Sequence, residues 1–286
     1  MEIFQDPLPF QAWCAAVDRE SALGFVPTMG ALHQGHLSLV QASLRRDAAT
    51  AVSIFVNPAQ FGPNEDFDRY PRTLAQDCAK LEEAGVAVVF APAAEAMYAP
   101  GDATRIEVLG LESRLDGGSR PGHFRGVATV VLKLLQLAAP TRAYFGQKDA
   151  AQVAVIQRLV RDLFLPVEVV VCPIVRERDG VAMSSRNAML SPAERAAARA
   201  LPLALRRMGD GYEAGERSAA ALVALGTATI AAEPGLRLDF LQAVDAETLL
   251  PVEHAVPGAL FALAAFAGAT RLIDNARVDA DAAWRL

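Results

Sequence analysis

The stretch FVPTMGALHQGHLSLV, Phe25 to Val40, joins an apolar run to a glycine-bearing turn and then to an apolar pattern of helical period. "LGFVPT" (Leu23–Thr28) predicts a strand, and the residues from about Gly35 to Arg46 predict a helix. Two of the chain's four histidines, His33 and His36, fall in that junction. The alternation then repeats. "ATAVSIFVNP" reads as a β-branched strand stopped by Pro58, "TLAQDCAKLEEAG" has helical spacing with a glycine end signal, and "VAVVFAP" reads as a buried strand. Farther on, "HFRGVATVVLKLLQLAAP" predicts a long helix, "RAYFG" a strand, "DAAQVAVIQRLVRDLF" a helix and "PVEVVVCPIV" a closing strand.

Strands alternating with helices imply right-handed crossovers. The expected fold class is therefore α/β, a Rossmann-like parallel sheet with helices on both faces. Ligands of such sheets bind outside the carboxyl ends of the strands. After "SSRN" the character changes. Residues 192–232 are alanine-rich and helical, with a break expected at "GDGYEAGE". The strand-like runs "LRLDFLQAV", "ALFALAAFA" and "ATRLIDNARV" follow. This order predicts a smaller C-terminal α+β domain over residues 177–286, after a first domain over 1–176.

Composition narrows the function. Of 286 residues, 52% are hydrophobic and 21% charged, which suits a globular chain with a sizeable core. The net charge of −6 argues against a nucleic-acid-coating surface, although a local basic pocket can still hold a small anion. Three scattered cysteines, Cys14, Cys78 and Cys172, form no C-x-x-C pair, so neither a disulfide framework nor a cysteine zinc site is suggested. "MEIFQDPLPF" does not read as a signal peptide, and "GALFALAAFAGA" (Gly258–Ala269) is shorter than the ~18 residues a span needs. A soluble, cytoplasmic protein is expected, with no membrane partner.

"GALHQGHL" (Gly30–Leu37) has G-x-x-x-x-G spacing but lacks the Lys and Ser/Thr of a P-loop, and it is not G-x-G-x-x-G either. What remains is a helix N-terminus with two imidazoles in its first turn. Unpaired N–H groups and the helix dipole favour an anion there. Two imidazoles can donate hydrogen bonds as charge builds on a phosphate. For the pattern alone the plainer reading weighs more: His36 caps the helix and His33 fills the loop. A zinc reading lacks a third ligand.

Other polar segments change that balance. "FVNPAQFGPNEDFDRYPRT" (Phe55–Thr73) offers the amides of Asn57 and Gln60, suited to hydroxyl or carboxylate groups, or else forms an ordinary Pro/Gly/Asn turn. "LDGGSRPGHFRGV" (Leu115–Val127) reads equally as a basic mobile lid, with Arg120, His123 and Arg125, or as a solvated loop. "YFGQKDAAQ" places Lys148 and Asp149 where a strand becomes a helix. "RERDGVAMSSRN" (Arg176–Asn187) offers hydroxyls and a guanidinium as a clamp for phosphates.

Together the blocks PTMGALHQGH, SIFVNPAQF, YPRT, GHFRGV, FGQKD and SSRN run in this order from Pro27 to Asn187. With ATRLIDN at Ala269–Asn275, they resemble those of the pantoate–β-alanine ligase family. HQGH is similar to the His-x-Gly-His signature of the nucleotidyltransferase superfamily, and MSSRN to its mobile KMSKS-type counterpart. The resemblance implies condensation of (R)-pantoate with β-alanine in two steps. The pantoate carboxylate attacks the α-phosphorus of ATP to give pantoyl adenylate and pyrophosphate, and the β-alanine amine then displaces AMP.

The same resemblance implies residue roles. His33 and His36 contact the phosphates, with His36 the proton donor, and Lys148 neutralises the α-phosphate region. Ser184, Ser185 and Arg186 hold the outer phosphates, while Met29, Gly30, Gly146, Asp149, Val175 and Met183 seat the nucleotide. Gln60 and Gln152 bind pantoate with Asn57 beside them, and Tyr70, Asp116 and Arg120 support the lid. Mg²⁺ arrives on ATP, with Asp77 the side chain that could approach it, and the chain forms a homodimer. Gln147 and Asp116 stand where the family pattern has Glu, and Gln76 where it has an acidic residue; these departures bear on the metal shell and the lid.

Alternatives remain at this level. One is another adenylyl- or cytidylyltransferase acting on a phosphorylated acceptor, which would call for more cations in the acceptor pocket. Another is a nucleotide-binding regulator that has lost catalysis, disfavoured by the presence of His33, His36 and Lys148.

Overall fold

The computed structural model describes residues 1–17, 22–63 and 65–286. In chain order the elements are β1 (Glu2–Phe4), α1 (Pro7–Ala16), β2 (Leu23–Thr28), α2 (Gln34–Leu44), β3 (Ala49–Ile54), α3 (Leu74–Ala84) and β4 (Val88–Phe90). Next come the short α4 (Ala94–Met97) and α5 (Asp116–Ser119), then α6 (His123–Ala138), β5 (Arg142–Gly146), α7 (Ala150–Asp162) and β6 (Glu168–Cys172). The remainder is α8 (Pro192–Ala197), α9 (Ala200–Glu213), α10 (Ala219–Ala231), β7 (Leu236–Asp245), β8 (Ala259–Ala267), β9 (Thr270–Val278) and β10 (Trp284–Arg285). No helix among the described residues is long and apolar enough to cross a membrane.

The chain divides into two compact units. The first comprises 1–112, 120–147 and 155–173, and the second 113–119, 148–154 and 174–286. The longest stretch of the second unit begins at Ile174.

The first unit is built on a parallel six-stranded sheet of order β1-β4-β3-β2-β5-β6. Side chains alternate across it as the period of a strand requires. Val26, Val52 and Val89 point into a core with Leu39 and Val40 of α2 and Leu81 of α3. Phe25 and Phe90 meet Phe10 of α1 on the other side, the Phe10 and Phe90 rings stacked at 4.5 Å. Strand order reverses between β2 and β5, which pair directly, Gly24 opposite Arg142. A reversal of this kind opens a crevice at the carboxyl ends of the strands. That is where β2 delivers Met29 and Gly30, and where β5 ends at Gly146. Strand β1 was not expected: three residues pairing in parallel with β4 are too few to show an alternation.

In the second unit β7, β8, β9 and β10 form an antiparallel sheet in the order β10-β9-β8-β7. Leu205, Met208, Leu222 and Ile230 pack with Phe261, Leu263 and Ala276 to form its core. The helical break expected at "GDGYEAGE" falls within that stretch, after Glu213, where Gly215 takes φ +102°. Helix α9 runs through Gly209 and Gly211 and ends at Glu213. The glycines serve close packing: a Cβ on Gly209 would lie 2.8 Å from the Trp284 ring, and one on Gly211 2.8 Å from Leu225. Replacing Gly209 with Ala sets a helix-propensity gain of about 1 kcal/mol against overpacking of about 1–3 kcal/mol. Overpacking outweighs propensity, so Gly209→Ala is expected to lower the denaturant midpoint of unfolding.

Candidate active site

In the first unit the turn between β2 and α2 is shaped by an acid far away in sequence. Gly30 and Ala31 both take left-handed backbone, φ +83° and +50°. For alanine that conformation costs about 1–2 kcal/mol. It turns the N–H groups of Ala31 and Leu32 onto the two carboxylate oxygens of Asp77 on α3, each at 2.8 Å. The Thr73 hydroxyl donates to the same carboxylate at 3.0 Å, and the Lys80 ammonium donates to the Leu32 carbonyl at 2.6 Å. Bonds to a buried carboxylate contribute about 1.5–3 kcal/mol each and offset the strain.

Asp77, the side chain that the family resemblance brings near the metal, here has a structural task. It is fully buried, and its oxygens already hold the histidine loop. Among the described residues no group of three or more His, Cys, Asp or Glu side chains is arranged to hold a metal ion. The side chains present do not fit a dedicated magnesium cage.

Held this way, the loop delivers His33 as the N-cap of α2. Its Nδ1 accepts the Gly35 N–H at 3.1 Å, and His36 Nδ1 accepts the His33 N–H at 3.3 Å. Both rings thus receive a proton donor at Nδ1, which in a neutral imidazole places the ring proton on Nε2. The two rings lie 4.1 Å apart at the positive end of the helix. Capping engages Nδ1 of both rings, with His33 the N-cap where the plainer reading of the sequence had His36.

The turn after β3 forms a second cluster. Asn57 is 1% exposed, and each of its hydrogen-bonding positions is taken. Its Oδ1 accepts the Ala59 N–H at 3.2 Å and the Tyr98 hydroxyl at 2.8 Å, while Nδ2 donates to Gln60 Oε1 at 3.0 Å and the Gly126 carbonyl at 3.2 Å. Gln60 in turn donates from Nε2 to the Met29 sulfur at 3.2 Å. The turn can lie against α6 only because residue 126 is glycine: a Cβ there would come within 2.2 Å of the Ala59 carbonyl. Tyr98 escaped the sequence reading, since a single tyrosine in "EAMYAP" carries no local pattern. Burial pushes its phenol up to about 12, so at neutral pH it remains a donor.

Arg120 is not a free cation on a lid. It donates to Glu65 at 2.8 and 2.5 Å and to His123 Nε2 at 3.0 Å. Since a guanidinium only donates, His123 carries its proton on Nδ1 and donates to the Gln60 carbonyl at 2.9 Å. Tyr70 is buried edge-on against Phe61.

Within the second unit Lys148 Nζ lies 3.7 Å from Asp149, and the Lys148 carbonyl accepts from Asn275 Nδ2 at 3.0 Å. Gln152 follows in the first turn of α7, partly exposed. Val175 and Met183 pair through the Met183 N–H and the Val175 carbonyl at 2.9 Å. Ser184 caps the turn Ser185–Met189, accepting the Arg186 N–H at 3.3 Å. Below it Arg176 grips Asp274 with two bonds, 2.7 and 2.9 Å. Burial pushes the Asp274 carboxyl up, and the Arg176 charge opposes that shift. Asn187 Nδ2 donates to Glu177 at 2.7 Å, and Arg195 pairs with both Glu177 and Asp179. Asp116 is tied to Arg271 at 2.6 Å, which also holds Asp239. Asp274 and Asn275 explain the ATRLIDN block: it anchors residues that belong to other motifs.

The helix that opens on His-x-Gly-His thus starts at the carboxyl end of β2, beside the reversal of strand order in the parallel sheet. The family model for pantoate-beta-alanine ligase matches residues 2–277. Pantothenate synthetase from Acidobacterium capsulatum is 60% identical over 254 residues, covering 89% of this chain and 85% of that protein. The crystal structure of pantothenate synthetase from Thermus thermophilus superimposes with a TM-score of 0.92 at 47% identity, over 96% of this chain and 98% of the other. That of pantoate-beta-alanine ligase from Francisella tularensis, complexed with beta-gamma ATP and beta-alanine, gives 0.80 at 36% identity, over 96% and 97%. The chain belongs to the pantoate–β-alanine ligase family.

The two acidic anchors, Asp77 and Glu65, each have a measurable consequence. Asn has one acceptor oxygen where Asp has two, so Asp77→Asn leaves a loop N–H facing an amide. An expected loss of about 1–3 kcal/mol in unfolding free energy should accompany weakened activity. For Glu65, burial alone would raise the carboxyl, but the Arg120 hydrogen bond and charge outweigh it and hold it below its ordinary 4.5. A carboxyl lowered in the folded chain stabilises above its unfolded value, and that contribution is lost as pH falls through the folded value. Stability should therefore drop on acidification below 4.5, with Glu65→Gln flattening that limb of a pH–stability curve.

Proposed function

We propose that the ligase activity that goes with this family proceeds here through pantoyl adenylate, with the imidazoles of His33 and His36 as donors to the phosphates. The observation that carries the reading is the pair of Nδ1 acceptor bonds, which leaves each Nε2–H a donor at a helix N-terminus. In the first step an oxygen of the pantoate carboxylate bonds to the α-phosphorus of ATP. The bond from that phosphorus to the bridging oxygen breaks, and pyrophosphate leaves with the electron pair. Negative charge grows on the bridging and non-bridging oxygens, where preorganised donors lower the barrier most.

His36 acts as proton donor, and Lys148 supplies fixed positive charge at the α-phosphate. Ser184, Ser185 and Arg186 bind the outer phosphates, and Met29, Gly30, Gly146, Asp149, Val175 and Met183 seat the nucleotide. Gln60 and Gln152 bind pantoate. In the second step the β-alanine amine attacks the acyl carbon, the acyl C–O bond breaks with its electron pair leaving on AMP, and the nitrogen gives up a proton as the amide forms; a phosphate monoester is a far better leaving group than oxide. Magnesium enters as part of the ATP complex, carried by phosphate oxygens. The protein works as a homodimer in the cytoplasm, a setting compatible with its three free thiols.

The test is pyrophosphate release from ATP and magnesium with pantoate alone. Release that depends on pantoate and rises with β-alanine supports adenylation before amide formation. His36→Ala should reduce it about 10²–10³-fold, the usual cost of one transition-state donor. Release indifferent to pantoate would sink the reading.

A further inference from the structure

We propose that Tyr98 is a positioning residue for substrate recognition: through Asn57 it holds the Gln60 amide with Nε2 as its outward group, so that this point takes an acceptor oxygen. The inference rests on Gln60 being a pantoate contact. The chain of reasoning starts from two backbone groups whose roles cannot change. The Ala59 N–H only donates and the Gly126 carbonyl only accepts, and both bind Asn57. They fix the Asn57 amide, Oδ1 toward Ala59 and Nδ2 toward Gly126. The second hydrogen of Nδ2 then draws Gln60 Oε1 inward. Gln60 is left with Nε2, which only donates, on the side of Met29. A carboxylate or hydroxyl oxygen suits that donor, and a group that only donates does not.

Tyr98 closes the arrangement by filling the second lone pair of Asn57 Oδ1. The tyrosine is itself held. The Lys133 ammonium lies 4.5 Å from the centre of its ring and the Arg105 guanidinium 5.6 Å. Lys133 is fixed in turn by the Met97 carbonyl at 2.6 Å and by Asp102. With all four positions of Asn57 occupied, Asn57 and Tyr98 act through Gln60, and neither touches the ligand.

The experiment is a double-mutant cycle of Tyr98→Phe and Gln60→Ala, read as KM for pantoate, KM for ATP and thermal midpoint. Phenylalanine keeps the ring and its cations and removes only the hydroxyl. Loss of one such hydrogen bond should raise KM for pantoate about three- to tenfold, leaving KM for ATP within about twofold. In the Gln60→Ala background the same change should have no further effect on KM for pantoate. An unchanged KM for pantoate in Tyr98→Phe, or an equal added effect in the Gln60→Ala background, overturns the positioning role. A Gln60→Ala variant with unaltered KM for pantoate overturns the assignment of Gln60 itself, a distinct failure.

Discussion

The Asp77 carboxylate, buried beneath the turn between β2 and α2, is the constraint on which the histidine site depends. Two successive left-handed residues, one of them alanine, would not persist in an exposed turn. They persist here because a buried carboxylate without donors is far costlier than the strain. Ala31, Leu32 and Thr73 supply those donors. The consequence passes directly to chemistry. With the loop so held, α2 begins at Gln34 and both Nδ1 atoms meet backbone N–H groups. The proton on each ring is thereby placed before any ligand arrives.

The same logic recurs around the turn after β3. Asn57 and His123 direct polar atoms at the Gln60 side chain and carbonyl, and the Tyr98 hydroxyl donates to Asn57, each in a role set by a group that can only donate or only accept. Such fully satisfied networks hold an amide in one of its two orientations, which otherwise differ little in shape and oppositely in hydrogen-bonding sense. Orientation fixed in advance lets binding energy go into the ligand instead of ordering the protein.

In the second unit the Arg176–Asp274 pair has a different rationale. Burying an ion pair yields little net stability, because desolvation rivals the attraction. Its two parallel bonds specify geometry instead. They fasten the start of the 176–182 hairpin to β9, the strand whose next residue, Asn275, holds the Lys148 carbonyl. Asn187, Glu177 and Arg195 brace the other side of that hairpin, next to the turn carrying Ser184, Ser185 and Arg186.

The local patterns of the chain determined most of the architecture: short apolar runs marked the strands, helical spacing the helices between them, and His33 and His36 announced themselves at a strand-to-helix junction. These signals are legible because they rest on neighbours within a few residues. Tertiary structure decided what depends on distant partners. Nothing near Asp77 shows that its carboxylate belongs to a turn 46 residues earlier, and nothing near Tyr98 shows that its hydroxyl belongs to Asn57. Only the packed Trp284 and Leu225 show why Gly209 and Gly211 leave no room for a side chain inside α9, and β1 became a strand only once β4 lay beside it. A periodic pattern states which face is buried, whereas a hydrogen bond or a steric contact exists only when the fold brings its second partner into place.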